Sequence, residues 1–156
     1  MDGNSRWAKK AGKKKIFGYE KGFQAVKTAI HFSLLKNVKI LTLYAFSTEN
    51  WSRPISEIQE LMQLFFILID TQIRDLHKNN ICFRVLGNIS NFDVKLQESI
   101  KKAEKLTINN NGLILNIAAN YSGKWDIIEG VKKIFNQVQQ GLLTVDQIKE
   151  KNFNKY

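Results

Sequence analysis

Three short apolar runs, Lys39 to Phe46, Cys82 to Leu86 and Leu113 to Ala118, are separated by amphipathic stretches far too long to be hairpin turns. In the first stretch, Gly22 to Asn37, apolar residues recur at Phe23, Val26, Ala29, Ile30 and Leu34, the spacing of one helix face. Ile55 to His77 follows Pro54, which suits the approach to a helix, and repeats the pattern at Ile58, Leu61, Met62, Phe65, Ile69 and Leu76. Asp93 to Leu106 and Trp125 to Gln139 predict two more long helices, and Asn109-Asn110-Asn111-Gly112 a turn. Strands alternating with helices of this length need crossover connections, which predicts an α/β fold: an open parallel sheet with crossover helices on both faces. Lys39 to Phe46 is expected to be a largely buried strand. Phe65-Phe66-Ile67-Leu68-Ile69 carries apolar residues round nearly the whole circumference, which predicts a fully buried helix or the wall of an apolar tunnel.

A 156-residue chain with 44% hydrophobic residues is in the range of one domain with a real core, and one proline and nine glycines leave no room for a linker, so residues 1–156 are expected to form a single domain. The longest apolar run, Leu64 to Ile69, is too short to span a membrane. The N-terminus has no apolar signal region and Cys82 is alone, which makes the cytoplasm the expected compartment. The net charge of +10 comes from 20 lysines against 4 arginines, scattered along the chain in the manner an AT-rich coding sequence imposes, so no nucleic-acid partner is expected. Only Lys9, Lys10, Lys13, Lys14 and Lys15 cluster. Where arginine is scarce, Arg6 and Arg53 are informative, because a planar fork grips phosphate bidentately; Arg74 and Arg84 are expected at the ordinary surface. His31 and His77 are too isolated for a metal centre.

Two tracts carry most of the chemistry: Met1-Asp2-Gly3-Asn4-Ser5-Arg6-Trp7-Ala8-Lys9-Lys10, and Leu43-Tyr44-Ala45-Phe46-Ser47-Thr48-Glu49-Asn50-Trp51-Ser52-Arg53-Pro54. Each places a carboxylate or amide, a tryptophan and an arginine within a few residues on a segment that reads as a loop, the chemistry of a phosphorylated ligand. In open parallel sheets ligands bind beyond the carboxyl ends of the strands. The second tract and Asn120-Tyr121-Ser122-Gly123 both follow predicted strands, so the loops are expected to converge on one edge. Taken without further information, Asp2 suits either an Asx-turn or a carboxylate ligand of Mg²⁺. Ser47 to Arg53 suits a second ligand or the cap of the next helix. Glu57 suits a helix N-terminus.

With Leu113-Ile114-Leu115-Asn116-Ile117-Ala118-Ala119-Asn120-Tyr121-Ser122-Gly123-Lys124-Trp125-Asp126-Ile127, these tracts closely resemble the signatures of the cis-prenyltransferases, and among them the bacterial undecaprenyl diphosphate synthases. The resemblance runs from Met1 to about Glu150. It implies a Mg²⁺-dependent condensation of isopentenyl diphosphate with farnesyl diphosphate, giving a long-chain cis-polyprenyl diphosphate used as lipid carrier precursor in cell-wall synthesis. It implies that Asp2 is the essential acidic residue, handling Mg²⁺ and diphosphate, and that Gly3, Asn4, Ser5, Arg6 and Trp7, with Lys15 and Tyr19, hold the allylic diphosphate. Asn50 and Arg53, assisted by Ser47, would position isopentenyl diphosphate and support loss of its proton; Thr48 and Glu49 would belong to the same pocket and Trp51 would shape it. Ala45, Leu113 and Leu115 would line the product tunnel together with the helix from Ile55, and Glu57 would lie on a segment that closes over substrate. Homodimers and transient membrane contact for product release are implied as well.

Three positions depart from the family pattern. Ser5 replaces a glycine, which would hinder the loop if it needs positive φ; Lys15 replaces an arginine and loses the bidentate fork; Tyr19 replaces a histidine and cannot become cationic near neutral pH. The resemblance also implies a strand ahead of Met1 and an arginine-rich block beyond Tyr156, so residues 1–156 alone are expected to be inactive. A non-catalytic relic or scaffold subunit, retaining only an allylic-diphosphate pocket, is the alternative.

Overall fold

A computed structural model describes residues 3–153. In chain order it contains helix α1 (Asn4–Lys10), helix α2 (Lys15–Leu35), strand β1 (Ile40–Ser47), a 3₁₀ turn (Thr48–Ser52), helix α3 (Ile55–Lys78), strand β2 (Cys82–Leu86), helix α4 (Val94–Thr107), strand β3 (Ile114–Tyr121), helix α5 (Gly123–Gln139) and the short helix α6 (Glu150–Phe153). The strands form one sheet in the order β1-β3-β2. β2 and β3 run parallel, with Cys82 opposite Ile114 and Leu86 opposite Ala118, and α4 is the crossover between them. This is the open parallel α/β sheet that the alternation predicts. The chain divides into two compact units, residues 1–120 and 121–156.

In the first unit the core gathers Phe46 from β1, Ile69 from α3, Phe83 from β2, Leu96 and Ile100 from α4, and Leu113, Leu115 and Ile117 around β3. Thr107 ties the end of α4 to β2 without leaving a polar group orphaned: its buried hydroxyl accepts from the Phe83 N–H at 3.1 Å and donates to the Ala103 carbonyl at 2.9 Å. Two expectations from periodicity need correction. Among the described residues β1 lies at the edge of the sheet rather than being largely buried; only Phe46 of it is buried, and Ile40 and Tyr44 are 56% and 53% exposed. Helix α3 is not buried all round, since Gln63, Ile67, Asp70 and Thr71 face outward. Its apolar excess lines a cavity instead.

From Asn4 to Lys10 the first tract folds as α1, not as a loop. Gly3 takes the left-handed conformation at φ 80° that lets the chain turn into the helix, and the Trp7 N–H closes the first turn on the Gly3 carbonyl. α1 packs on α2 across a groove made by two glycines one helical turn apart. A Cβ on Gly18 would lie 2.2 Å from the Asn4 carbonyl oxygen, and one on Gly22 would lie 2.3 Å from the Asn4 side-chain nitrogen. The G-x-x-x-G spacing therefore fixes where Asn4 sits.

In the second unit, α5 is capped by Ser122, whose hydroxyl accepts from the Trp125 N–H at 3.2 Å. The Tyr121 hydroxyl donates to Asp126 at 2.9 Å, and Gly130 faces the Phe153 ring.

Candidate functional site

At the end of β1 the backbone turns sharply. The Ser47 N–H donates to the Asn50 side-chain oxygen at 3.0 Å, and the Ser47 hydroxyl accepts from the Asn50 N–H, a reciprocal capping box over Thr48–Ser52. The two readings of this tract are not exclusive, because Ser47 and Asn50 cap the turn and also line a cavity of about 880 Å³. That cavity is walled on one side by Gly3, Asn4, Ser5 and Arg6, on another by Lys15 and Tyr19 of α2, and on the third by Ala45, Ser47, Asn50 and Arg53. The structure thus brings together ten of the residues expected from sequence.

Glu57 occupies the middle of the charge pattern. Though 9% exposed, its carboxylate accepts from Lys15 Nζ at 2.5 Å, from the Tyr19 hydroxyl at 2.7 Å and from Arg53 Nη1 at 3.1 Å; Arg53 also donates to the Tyr19 oxygen at 3.2 Å. The Lys15 hydrogen bond, then that of Tyr19, hold the Glu57 carboxyl below the usual carboxylate range. Desolvation, reinforced by the hydrogen bond to Glu57, pushes the Tyr19 phenol up to about 12, so it serves as a neutral donor. Ser5 lies within helical backbone, so its place in the wall does not require positive φ.

A second cavity, of about 380 Å³, adjoins the first: Asn4, Tyr19, Ala45 and Leu61 belong to both walls. It is apolar, bounded by Phe23, Val26 and Ile30 of α2, by Met62, Phe65 and Ile69 of α3, and by Leu115 and Ile117 of β3. Polar cations at one end and hydrocarbon at the other make a shape for an amphiphile with an anionic head.

Several expected residues stand elsewhere. Trp7 does not line either cavity; it is half exposed and stacks on Phe17 with centroids 5.8 Å apart. Thr48 and Glu49 lie on the 3₁₀ turn outside both walls, and Leu113 is buried in the core rather than in the tunnel wall. Trp51 acts from behind: its ring packs edge-on against Phe46, and its Nε1 donates to Asn120 Oδ1 at 2.8 Å. Asn120, 3% exposed and left-handed at φ 51°, also donates to the Asn88 carbonyl at 2.6 Å. The end of β3 thereby anchors the turn that carries Asn50 and Arg53. Asp2 lies outside the described residues. Arg74 and Arg84 are exposed, as expected.

Gly18, Gly22 and Asn120 were not singled out for the site by their chemistry. The four-residue glycine spacing inside a predicted helix was the available signal for the first two. Asn120 gave none beyond its place after a strand.

An open parallel α/β sheet whose strand end opens on joined cationic and apolar cavities has the shape to take an amphiphilic anion. A family model described as putative undecaprenyl diphosphate synthase matches residues 1–156, and the chain belongs to that family. It is 59% identical to a ditrans,polycis-undecaprenyl-diphosphate synthase, (2E,6E)-farnesyl-diphosphate specific, of Buchnera aphidicola subsp. Acyrthosiphon pisum, and 49% identical to the enzyme of that name from Escherichia coli K12. Both matches cover all of this chain and 62% of the relative, so the chain spans less than two thirds of their length. Among solved structures it matches lavandulyl diphosphate synthase from Lavandula x intermedia in complex with dimethylallyl diphosphate, with a TM-score of 0.94 and 30% identity over 99% of this chain and 66% of that one. It also matches a probable undecaprenyl diphosphate synthase from Campylobacter jejuni, with a TM-score of 0.75 and 28% identity over 86% of this chain and 62% of that one.

Proposed function

We propose that this chain supplies the allylic-substrate pocket and residues of the isopentenyl pocket of a cis-prenyltransferase that condenses isopentenyl diphosphate with farnesyl diphosphate into a long-chain polyprenyl diphosphate. The observation that carries the reading is the junction of the two cavities at Asn4, Tyr19, Ala45 and Leu61. A diphosphate head meets Arg6, Lys15 and Arg53 on one side of that junction, and a prenyl tail meets α2, α3 and β3 on the other. Charge-assisted bonds from guanidinium and ammonium suit the oxygens of a diphosphate and steady the charge that grows as it leaves.

Asn50 and Arg53, held by the capping box and by Trp51, are the residues we assign to isopentenyl diphosphate, with Arg53 shared between it and the allylic head. Among the described residues no cluster of three His, Cys, Asp or Glu side chains offers a preformed metal cage. Mg²⁺ needs only one or two carboxylates plus substrate phosphates, and Asp2, the covalent neighbour of Gly3 in the cavity wall, fits that requirement. When bound, Mg²⁺ would neutralise charge on the diphosphate. Among the described residues no helix is long and apolar enough to cross a membrane, and a cytoplasmic homodimer is the arrangement we propose.

The test is condensation itself. A chimera completing this chain with the flanking segments of the Buchnera relative, incubated with radiolabelled isopentenyl diphosphate, farnesyl diphosphate and Mg²⁺, is expected to yield lipid-extractable label, while residues 1–156 alone yield none. A folded chimera that makes no product beside an active Buchnera enzyme would contradict the reading.

A further inference from the structure

Two of the three cations that line the polar cavity are already engaged with an anion. Lys15 arrives from the first turn of α2 and Arg53 from the end of the 3₁₀ turn, and both bind the carboxylate of Glu57. Among the described residues of that wall, Glu57 is the only acidic side chain, beside Arg6, Lys15 and Arg53. Carboxylate and phosphate oxygens compete for the same donors in the same geometry. A diphosphate and Glu57 cannot both hold Lys15 and Arg53 at hydrogen-bonding distance without bringing like charges together.

We propose that Glu57 is a built-in anion that occupies the diphosphate subsite of the unliganded chain, and that a diphosphate binds by displacing it. The inference rests on the reading of the polar cavity as a diphosphate subsite. Glu57 lies in the first turn of α3, two residues beyond the helix start, and its own N–H donates to the Pro54 carbonyl at 3.0 Å. Once it loses Lys15 and Arg53 its carboxylate, 9% exposed, has to turn outward to water, because a buried unpaired charge is costly. Ligand arrival at the head subsite is thereby coupled to movement at the start of α3, the helix whose apolar face walls the tail cavity. The same competition raises the threshold for weakly charged anions, which gain less from Lys15 and Arg53 than a diphosphate does.

Isothermal titration of inorganic pyrophosphate into residues 1–156, without Mg²⁺ and at fixed ionic strength near pH 8, tests this. Glu57→Gln keeps the size and the hydrogen bond to Tyr19 but removes the charge; pyrophosphate is expected to bind at least tenfold tighter to it than to the unaltered chain. Should that variant lose its cooperative melt, Glu57→Ala carries the same comparison. Unchanged or weaker binding overturns the proposal, and weaker binding is what a Glu57 that merely positions Lys15 and Arg53 would give. Lys15→Gln and Arg53→Ala separate the two layers. If each weakens pyrophosphate binding while Glu57→Gln has no effect, the subsite stands and the displaced anion does not. If neither variant alters binding, or if no form of the chain binds pyrophosphate, both readings fall.

Discussion

Gly18→Ala is expected to cut condensation by about two orders of magnitude in the completed chimera while changing its melting temperature little. The added Cβ would sit 2.2 Å from the Asn4 carbonyl oxygen and 2.9 Å from its carbon, both backbone atoms that no side-chain rotation can withdraw. Restoring an ordinary C···O contact of about 3.3 Å means moving the start of α1 by roughly 1 Å. Overpacking costs about 1–3 kcal/mol, and alanine's better helix propensity within α2 returns up to about 1 kcal/mol, so the fold survives. The geometry does not, since Asn4, Ser5 and Arg6 all move with α1. A 1 Å misplacement of positioning groups costs about 100-fold in rate. Turnover and circular dichroism melts on the same preparation check both halves, and Gly22→Ala, whose clash falls on the movable end of the Asn4 side chain, is expected to lose less.

Asn120→Ala is expected to be the most destabilising single change near the site, by about 3 kcal/mol or more. It strands the partly buried Trp51 indole N–H and Asn88 carbonyl together, at about 1–3 kcal/mol for each orphan at most. It also asks alanine to hold φ 51°, at a cost of about 1 kcal/mol. Asn120→Gly separates these causes: glycine accepts the backbone conformation, so the difference between the two variants, measured by chemical denaturation, isolates the strain, and the loss common to both belongs to the hydrogen bonds. Because Trp51 anchors the turn bearing Asn50 and Arg53, both variants are also expected to weaken isopentenyl diphosphate use.

The strand and helix order was legible because each element carries a strong period, and Cys82–Leu86 matches its predicted span. What periodicity could not supply was the neighbour on each side of an element. An apolar run such as Ile40 to Phe46 looks the same at the edge of a sheet as at its centre. The apolar circumference of α3 likewise does not say whether its contacts are side chains or the wall of a cavity. α1 was missed because seven residues from Asn4 to Lys10, rich in lysine and asparagine, carry too short a pattern; packing on the glycine groove of α2 makes it a helix.

In the site, motif chemistry pointed to Arg6 and Arg53, and the family resemblance to Lys15 and Tyr19. Neither could separate side chains that face the ligand space from those that brace it. Each tract carries a tryptophan, yet Trp7 stacks on the surface and Trp51 holds Asn120 from behind. Glu57 looked like a favourable charge at a helix start; its meeting with Lys15, forty-two residues earlier, is a product of the fold.

The central claim is that head and tail of one prenyl diphosphate divide between the joined cavities. A crystal structure of this chain soaked with farnesyl diphosphate tests it most directly. The account predicts the diphosphate on Lys15 and Arg53, with the Glu57 carboxylate withdrawn, and the prenyl chain between α2 and α3 against Phe65 and Leu115. Farnesyl diphosphate bound with its tail outside that apolar cavity, or its phosphates away from Lys15 and Arg53, would contradict it.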